Sequence, residues 1–427
     1  MKKIATLLIS LVFLQMSCIE PNKPFDKMAP GLWRGILYLD GNTGPIVASE
    51  DETVQMPEIE GELPFNFEVK YLENNNLSFE FINGDERIIV TDIKYGLDRE
   101  TAKDTLEIYF KEFDTELKGI YENGIIEGHW IVNYKENYQI PFKAVFGKNY
   151  RFLPKDKEPL FDITGDWKAV FEPGSEDAYN AIGQFKQNGK ELTGTFSTET
   201  GDYRYLDGQI YDNKFRLSAF DGAHAFLFEG KVANEDSIIG SFRSGKHYKS
   251  NWVAKKGETK NYLMNPFEMT QYDTEKPLNF ILKDSENQEL DITQSNHKKI
   301  IQITGTWCPN CKDETQFLKS YYQKKPDDVD IIAVAFERYD DEAKNIDIIK
   351  TYKEKMGFPY PILLGGKVGS AATKSAFPQL DGIHSYPTIL FVDGDNRIKK
   401  VFTGYYGPAT QEYEHFKKQF EDTVEKL

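Results

Sequence analysis

The stretch that decides the fold lies in the C-terminal part of the chain, where residues 298–312 are KKIIQITGTWCPNCK. The apolar run Ile300–Ile303 predicts a buried strand, and a helical window follows Cys311. A spacing of three residues places the sulfurs of Cys308 and Cys311 on one face of the first helical turn, within bonding distance. Free N–H groups and a partial positive charge at a helix N-terminus favour an anionic sulfur there. The stretch therefore predicts a redox dithiol, with a Cys308–Cys311 disulfide in its oxidised state.

Other uses of a Cys-x-x-Cys motif fit this sequence less well. Covalent haem attachment needs a histidine after the second cysteine, where this chain has Lys312. A structural zinc site needs two further ligands, but Cys18 is the one other cysteine of the sequence. A purely structural disulfide across so short a loop would contribute little stability. A catalytic dithiol without metal or cofactor is favoured, with Cys308 as nucleophile and the more buried Cys311 as resolving residue.

Strands and helices alternate on both sides of the motif. Periodicity predicts strands at Val329–Phe336, Thr388–Val392 and Arg397–Phe402. It predicts helices at Glu342–Lys355 and over the last turns of the chain. Such alternation is typical of an α/β layer fold around a mixed sheet, which we place at residues 265–427.

The segment Thr306–Lys312 resembles the active site of the thioredoxin superfamily, and its flanks are closest to the TlpA/ResA-like membrane-tethered branch. Phe280–Asp284 resembles the additional N-terminal strand of that branch. Glu314 stands where the branch has an acidic residue, and Ser385–Thr388 resembles the cis-proline loop. The resemblance implies a thioredoxin-like domain whose supporting active-site residues include Trp307, Pro309, Asn310, Tyr386 and Pro387.

The cis-proline loop has a physical role in this interpretation. A cis bond before Pro387 would form a tight turn that faces the cysteines. Because Pro387 has no N–H, the backbone of Tyr386 is expected to be free to pair with an extended substrate strand. The family also suggests that this proline keeps metals away from the thiolates. Glu337, at the end of a predicted strand, is the best candidate for a buried proton relay, and a solvated loop carboxylate is the alternative.

The middle of the chain has a different texture, with period-two alternation and many turn pairs such as Asn83-Gly84. We predict two antiparallel β units, barrel or sandwich, at residues 31–150 and 160–256. A weak repeat relates Gly31-Leu32-Trp33 to Gly165-Asp166-Trp167, and one larger barrel or sandwich is the alternative. These units hold no recognisable catalytic set, and their isolated histidines are interpreted as structural: His129, His224 and His247.

The N-terminus predicts export. Lys2 and Lys3 precede an apolar run, Ile4–Leu14, which is too short to span a bilayer. Cys18 after Ser17 resembles the lipobox of bacterial lipoproteins. We expect a signal peptide at residues 1–18 with lipidation of Cys18, followed by a tether at 19–30; ordinary cleavage near Ser17 is the alternative.

The whole sequence gives one functional hypothesis and two rivals. The chain carries a formal charge of −16, which disfavours nucleic acid as a partner. We expect a periplasm-facing lipoprotein of the cell envelope that reduces disulfides of client proteins and is itself reduced by a membrane thiol donor. One alternative is a binding lipoprotein whose β units capture a ligand or client, with an accessory redox or metal-chaperone domain. The other is a peroxiredoxin-like peroxidase, although Gly305 stands where that family needs threonine.

Overall fold

The computed structural model describes residues 25, 27–41, 60–152 and 157–427. The described residues form three β-sheets of five or more strands, one short hairpin and four α-helices. The first sheet consists of β1 (Gly31–Tyr38), β2 (Glu62–Tyr71), β3 (Leu77–Asn83), β4 (Glu86–Val90), β5 (Ile93–Asp98), β6 (Lys103–Phe110), β7 (Thr115–Glu122), β8 (Ile125–Val132) and β9 (Gln139–Phe146).

The second sheet consists of β10 (Gly165–Phe171), β11 (Tyr179–Asn188), β12 (Glu191–Thr198), β13 (Gly201–Asp202), β14 (Leu206–Tyr211), β15 (Lys214–Phe220), β16 (Ala225–Asn234), β17 (Ser237–Ser244) and β18 (Tyr248–Lys256). The C-terminal part consists of β19 (Ile281–Lys283), β20 (Glu289–Asp291), β21 (Lys298–Thr304), α1 (Pro309–Tyr322), β22 (Val329–Glu337), α2 (Glu342–Met356), β23 (Ile362–Lys367), α3 (Ser370–Ala376), β24 (Thr388–Val392), β25 (Ile398–Thr403) and α4 (Glu412–Glu425).

The first sheet is an open, antiparallel half-barrel, which we call the open sheet. Its strand order is β4-β3-β2-β1-β9-β8-β7-β6-β5, and the end strands β4 and β5 do not pair with each other. One face carries an aromatic core that includes Trp33, Phe67 and Phe81. The burial of alternate residues on strands such as β6 is the period-two pattern that the sequence shows.

The second sheet is a closed barrel of eight strands, with the two-residue strand β13 added beside β12. Its order is β11-β10-β18-β17-β16-β15-β14-β12, and β11 also pairs with β12 to complete the ring. Trp167, Phe196 and Trp252 are fully buried inside it. The prediction of antiparallel β units is confirmed: one unit is a half-barrel and the other a closed barrel.

The C-terminal sheet has the order β23-β22-β21-β24-β25. The first three strands of that order are parallel to one another, and β24 is antiparallel to β21. Along β21, Ile300 packs on one side of the sheet and Ile301 and Ile303 on the other, so helices or loops cover both faces. This mixed sheet is the predicted thioredoxin-like α/β fold; we call this part the redox domain.

Most elements predicted in the redox domain are present. The strand Thr388–Val392 is β24 without a change of bounds, and the helix from Glu342 ends at Met356, where Gly357 adopts the left-handed conformation. The predicted strand at Phe280–Asp284 is β19, which pairs with β20 in a separate hairpin. No helix among the described residues is both long enough and apolar enough to cross a membrane.

Candidate active site

The two cysteines lie at the junction of β21 and α1. Cys308 is the N-cap of α1, and its Sγ accepts a hydrogen bond from the N–H of Cys311 at 3.2 Å. Pro309 occupies the first helical position, where a missing N–H costs nothing. Both cysteines are free thiols; Cys308 is 7% exposed and Cys311 is fully buried, the order of burial that the sequence predicts.

The cis-proline loop faces Cys308. The Tyr386–Pro387 peptide bond is cis, and the Cys308 thiol donates to the carbonyl oxygen of Tyr386 at 3.5 Å. That the backbone of Tyr386 can pair with an extended substrate strand stays a prediction. Its carbonyl is bonded to Cys308, and the neighbouring Ser385 hydroxyl donates to the carbonyl of Thr200 in the barrel at 2.9 Å.

Trp307 is held by contacts on several sides. Its Nε1 donates to the carbonyl of Phe336 at 2.9 Å, and its ring meets Tyr386 edge-on with centroids 5.4 Å apart. The guanidinium of Arg338 lies 4.4 Å from the centroid of Trp307 and 4.0 Å from that of Tyr134 in the open sheet. Arg338 is a site residue that the sequence analysis missed, because no motif contains it; its position directly after Glu337 was the available signal.

Glu337 supports the loop that precedes Cys308. Its carboxylate accepts hydrogen bonds from the N–H of Thr306 at 3.0 Å and from the Thr306 hydroxyl at 2.9 Å. Burial raises the pKa of Glu337 to about 7, although the bonds from Thr306 oppose the shift. Both oxygens are thus directed at Thr306, and the role of Glu337 as a proton relay stays a prediction.

A second buried carboxyl lies on α1. Glu314 is fully buried; one oxygen accepts from the amide of Gln302 at 3.0 Å and the other has no hydrogen-bond partner among the described residues. The same Gln302 amide donates to the carbonyl of Cys311 at 3.3 Å. Burial raises the pKa values of Glu314 and of the Cys311 thiol, so the Glu314 carboxylate is a stronger base than one in water.

Pro309 and Asn310, the residues between the cysteines, contact the barrel. The carbonyl of Pro309 accepts from Arg204 at 3.1 Å, and the Asn310 amide donates to the carbonyl of Asp202 at 3.1 Å. The Arg204 guanidinium also pairs with Asp313 of α1 and with a carboxylate of the open sheet, Glu86. Burial alone would lower the pKa of Arg204, but these carboxylates more than offset it. One side chain therefore joins both sheets to the catalytic helix.

The β units contribute to the surroundings of the cysteines, although their sequence shows no recognisable catalytic set. Together with the redox domain they enclose a cavity of about 450 Å³ above Cys308. His224 and His247, interpreted from the sequence as structural, both line it; the first is paired with Asp221 and the second is hydrogen-bonded to Tyr138. Isolated histidines in strands gave no signal of this, because the cavity forms only when three distant segments pack together.

The remaining predicted residues are His129, which is exposed on β8 outside the cavity lining, and Cys18, which lies outside the described residues. All the residues that the sequence analysis assigned to the active site belong to the redox domain. The barrel and the open sheet add the residues that enclose the site.

Comparison with known proteins gives the same assignment for the C-terminal part. Residues 273–415 match the Redoxin family model. The thiol-disulfide oxidoreductase ResA of Bacillus thuringiensis subsp. konkukian is 26% identical over 151 residues, which cover 35% of this chain and 75% of that protein. ResA of Bacillus cereus strain ZK is 28% identical over 162 residues, 38% of this chain and 80% of that protein.

A solved structure, StoA from Bacillus subtilis, aligns with 34% of this chain and 98% of its own at 20% identity and a TM-score of 0.26. The family match and the ResA relatives cover the same segment that carries the dithiol and the cis-proline loop. The C-terminal part of this chain is therefore similar to Redoxin domains and to the ResA-like thiol-disulfide oxidoreductases of the thioredoxin superfamily.

Proposed function

We propose that this chain is an exported, membrane-tethered thiol–disulfide oxidoreductase that reduces disulfides through Cys308 and Cys311. The observation that carries the proposal is the geometry of the dithiol. Cys308 caps a helix N-terminus beside the cis-proline loop, and the second thiol is buried three residues further along the helix. The ResA relatives, which bear the name thiol-disulfide oxidoreductase, support the same reaction class.

The reaction proceeds in two exchanges. The Cys308 thiolate attacks one sulfur of the substrate disulfide, so a mixed disulfide forms and the other substrate sulfur leaves as a thiolate that takes up a proton. Cys311 then loses its proton and attacks the Cys308 sulfur, which forms the Cys308–Cys311 disulfide and releases the second substrate thiol. The substrate gains the two electrons that the dithiol loses. An external dithiol donor, which we place in the membrane, must return them.

Glu314 is the candidate that accepts the proton of Cys311. It lies one turn further along α1, shares Gln302 with the Cys311 carbonyl and has one buried oxygen without a partner in the described part of the chain. A carboxyl group in such a place can take a proton without first breaking a hydrogen bond at that oxygen.

Insulin reduction tests the activity. A chain with Cys18→Ser keeps the dithiol and removes the third thiol of the sequence, so it is the matched control and should turn over at the unmodified rate. Cys308→Ser in that background should lose the reaction, and Cys311→Ser should accumulate a mixed disulfide visible as an added mass. Turnover that persists in Cys308→Ser would overturn the proposal, and peroxide consumption by the control chain would favour a peroxidase.

The location is tested separately. The apolar run and Cys18 lie outside the described residues, and the proposal for them rests on the sequence pattern. In cells, the unmodified chain should fractionate with membranes and carry a lipid mass on its N-terminal cysteine, whereas Cys18→Ala should do neither. A membrane-bound Cys18→Ala chain would contradict the lipid tether.

A further inference from the structure

The cavity above Cys308 has the size of a small-molecule site. Its volume of about 450 Å³ falls in the range of such sites, and its wall combines Cys308 and Trp307 with residues of both sheets. Aromatic side chains from each sheet face it, among them Tyr138 of the open sheet and Phe226 of the barrel. The sulfur that attacks disulfides therefore borders a small space that is partly open to solvent.

The barrel packs against the cis-proline loop and the start of α1. Ser385 donates to the carbonyl of Thr200, and Asn310 donates to that of Asp202. Gly404, with φ +83°, packs so closely that a Cβ there would lie 2.6 Å from the Thr200 oxygen. An extended polypeptide would have to displace this loop, whereas a small disulfide that entered the cavity would not.

Two cations in the cavity wall form no salt bridge within the described residues; the charge of Glu337 acts on Arg338, but burial outweighs it and the pKa of Arg338 is lowered. Arg338 lies between the rings of Trp307 and Tyr134, and its buried Nε has no hydrogen-bond partner there. The ammonium group of Lys135 lies 4.7 Å from the ring centroid of Tyr138. Burial and the charge of Arg338 both lower the pKa of Lys135, so the two cations repel each other. A bound anion would relieve that repulsion and satisfy the free donors.

Arg204, the third cation of the wall, is already paired with Glu86 and Asp313, and other polar groups of the wall are hydrogen-bonded. Asp202 accepts the backbone N–H groups of Arg204 and Gly407, both at 2.7 Å, and His224 is bonded to Asp221. Asp202 is the one acidic residue among the described residues that line the cavity. The unbalanced charge of the wall is thus positive.

We propose that this cavity binds a low-molecular-weight disulfide that carries carboxylate groups, with Arg338 and Lys135 holding a carboxylate while Cys308 attacks the disulfide. The proposal rests on the dithiol activity proposed above and narrows its substrate class. Arg338 can donate in a planar fork, which suits a carboxylate better than a point charge does.

Three small disulfides test the preference: glutathione disulfide as the anionic probe, hydroxyethyl disulfide as the neutral one and cystamine as the cationic one. The full chain with Cys18→Ser is reduced, freed of reductant and mixed with each, and oxidation is followed by acid quench, alkylation and mass. Each rate constant is divided by that of dithiothreitol with the same probe, which removes intrinsic reactivity. The normalised rate for the anionic probe should exceed that for cystamine at least about tenfold, a difference that is screened by added salt.

Variants show whether the two cations cause the preference. Arg338→Gln and Lys135→Gln should each reduce the anionic-to-cationic ratio severalfold, and Arg338→Lys should retain most of it. Lys231→Gln, an exposed lysine on the outside of the barrel, is the matched control and should leave the ratio unchanged. S-methylglutathione, which has no disulfide, should inhibit the control chain competitively and inhibit Arg338→Gln much less.

The outcomes separate this proposal from the one it rests on. If none of the probes nor insulin oxidises the dithiol, the oxidoreductase function itself fails. If the dithiol reacts but the three normalised rates are equal, or the ratio survives in Arg338→Gln, then only the anionic substrate is wrong. A normalised rate with insulin above that with glutathione disulfide would likewise overturn the small-molecule preference and show that the barrel loop opens for protein clients.

Discussion

The open sheet and the closed barrel have the same strand layout around their first strand but differ at one edge. In each, the first strand lies between the second and the last strands of the unit, and a fully buried tryptophan sits on it, Trp33 or Trp167. The barrel closes because β12 pairs with both β11 and β14. In the open sheet the corresponding region forms the β3–β4 hairpin, and the end strands β4 and β5 remain unpaired with each other.

The barrel packs into the core of the open sheet. Phe220, the last residue of β15, lies among Phe65, Phe81 and Trp130 of the open sheet. The carbonyl of Gly222 in the turn between β15 and β16 accepts hydrogen bonds from the Thr115 hydroxyl and the Trp130 indole. The two units therefore differ in how they complete their cores: the barrel closes on itself, whereas the open sheet takes Phe220 from the barrel, and residues of both units line the cavity over Cys308.

The largest expected effect comes from removing the ring of Phe220. Phe220→Ala should lower the free energy of unfolding by about 4 kcal/mol, because it leaves a cavity in an aromatic core that is fully buried. Chemical denaturation measures the loss, and the open sheet should become accessible to proteases first.

Ile239→Ala on the barrel's outer face is the control, since Ile239 is 51% exposed. Its cost should stay within about 0.5 kcal/mol. Equal costs for the two substitutions would mean that Phe220 does not hold the sheets together.

Arg204→Met should have the next largest effect and lower the free energy of unfolding by about 3 kcal/mol. It leaves Glu86 and Asp313 without their shared cation, although the partial exposure of Asp313 moderates the penalty below that of a fully buried pair. A double-mutant cycle with Asp313→Asn should return a coupling free energy of at least about 1 kcal/mol.

The same Arg204→Met variant should alter access to the cysteines. Alkylation of Cys308 by a bulky maleimide should become faster, because the barrel is less firmly held on α1. Additive unfolding energies together with unchanged alkylation would contradict a clamp at Arg204.

The redox domain could be predicted from sequence far better than the wall that covers it. The dithiol, the cis-proline loop and the strand–helix order are local patterns, so residues 298–312 and 385–388 suffice to place them. The two β units could be predicted as antiparallel sheets for the same reason, since period-two burial is local.

The contacts across the domains could not be predicted in this way. Arg204 and Arg338 stand in no motif, and their partners lie far along the chain: Glu86 is 118 residues from the first, and Tyr134 contacts the second from another sheet. Pairing at such separations depends on how whole sheets pack against each other. The period of the hydrophobic pattern and the turn residues do not determine that packing. The contact of the cis-proline loop with the barrel, from the Ser385 hydroxyl to the Thr200 carbonyl, could not be predicted for the same reason.

The titration of Glu337 tests the redox domain separately from the open sheet and the barrel. We expect it to change the free energy of unfolding by about 2–3 kcal/mol. Burial raises its pKa from 4.5 to about 7, so between these values the folded protein binds more protons than the unfolded chain. The free energy of unfolding should therefore fall as pH rises from 4.5 to about 7, and level off above.

Glu337→Gln keeps the shape and cannot titrate, so the variant should lack this component. The difference in melting temperature between the two chains, measured from pH 4.5 to 8, isolates it from all other groups. A difference that does not depend on pH, or one that grows with opposite sign, would show that Glu337 titrates normally.

The smallest effect separates the two equivalent tryptophans. The indole of Trp167 donates to the Ile163 carbonyl at 2.8 Å in a buried setting, whereas that of Trp33 donates to the Ala29 carbonyl at 3.2 Å in a partly buried one. Replacing either tryptophan with phenylalanine removes one indole N–H donor and nearly the same volume. The difference between the two losses in free energy of unfolding therefore reflects the surroundings of each ring. Trp167→Phe should cost about 1 kcal/mol more than Trp33→Phe in chemical denaturation, because its carbonyl is left unsatisfied away from water. Equal costs would mean that the open sheet holds its first strand as firmly as the closed barrel does, and that closure by itself adds no local rigidity.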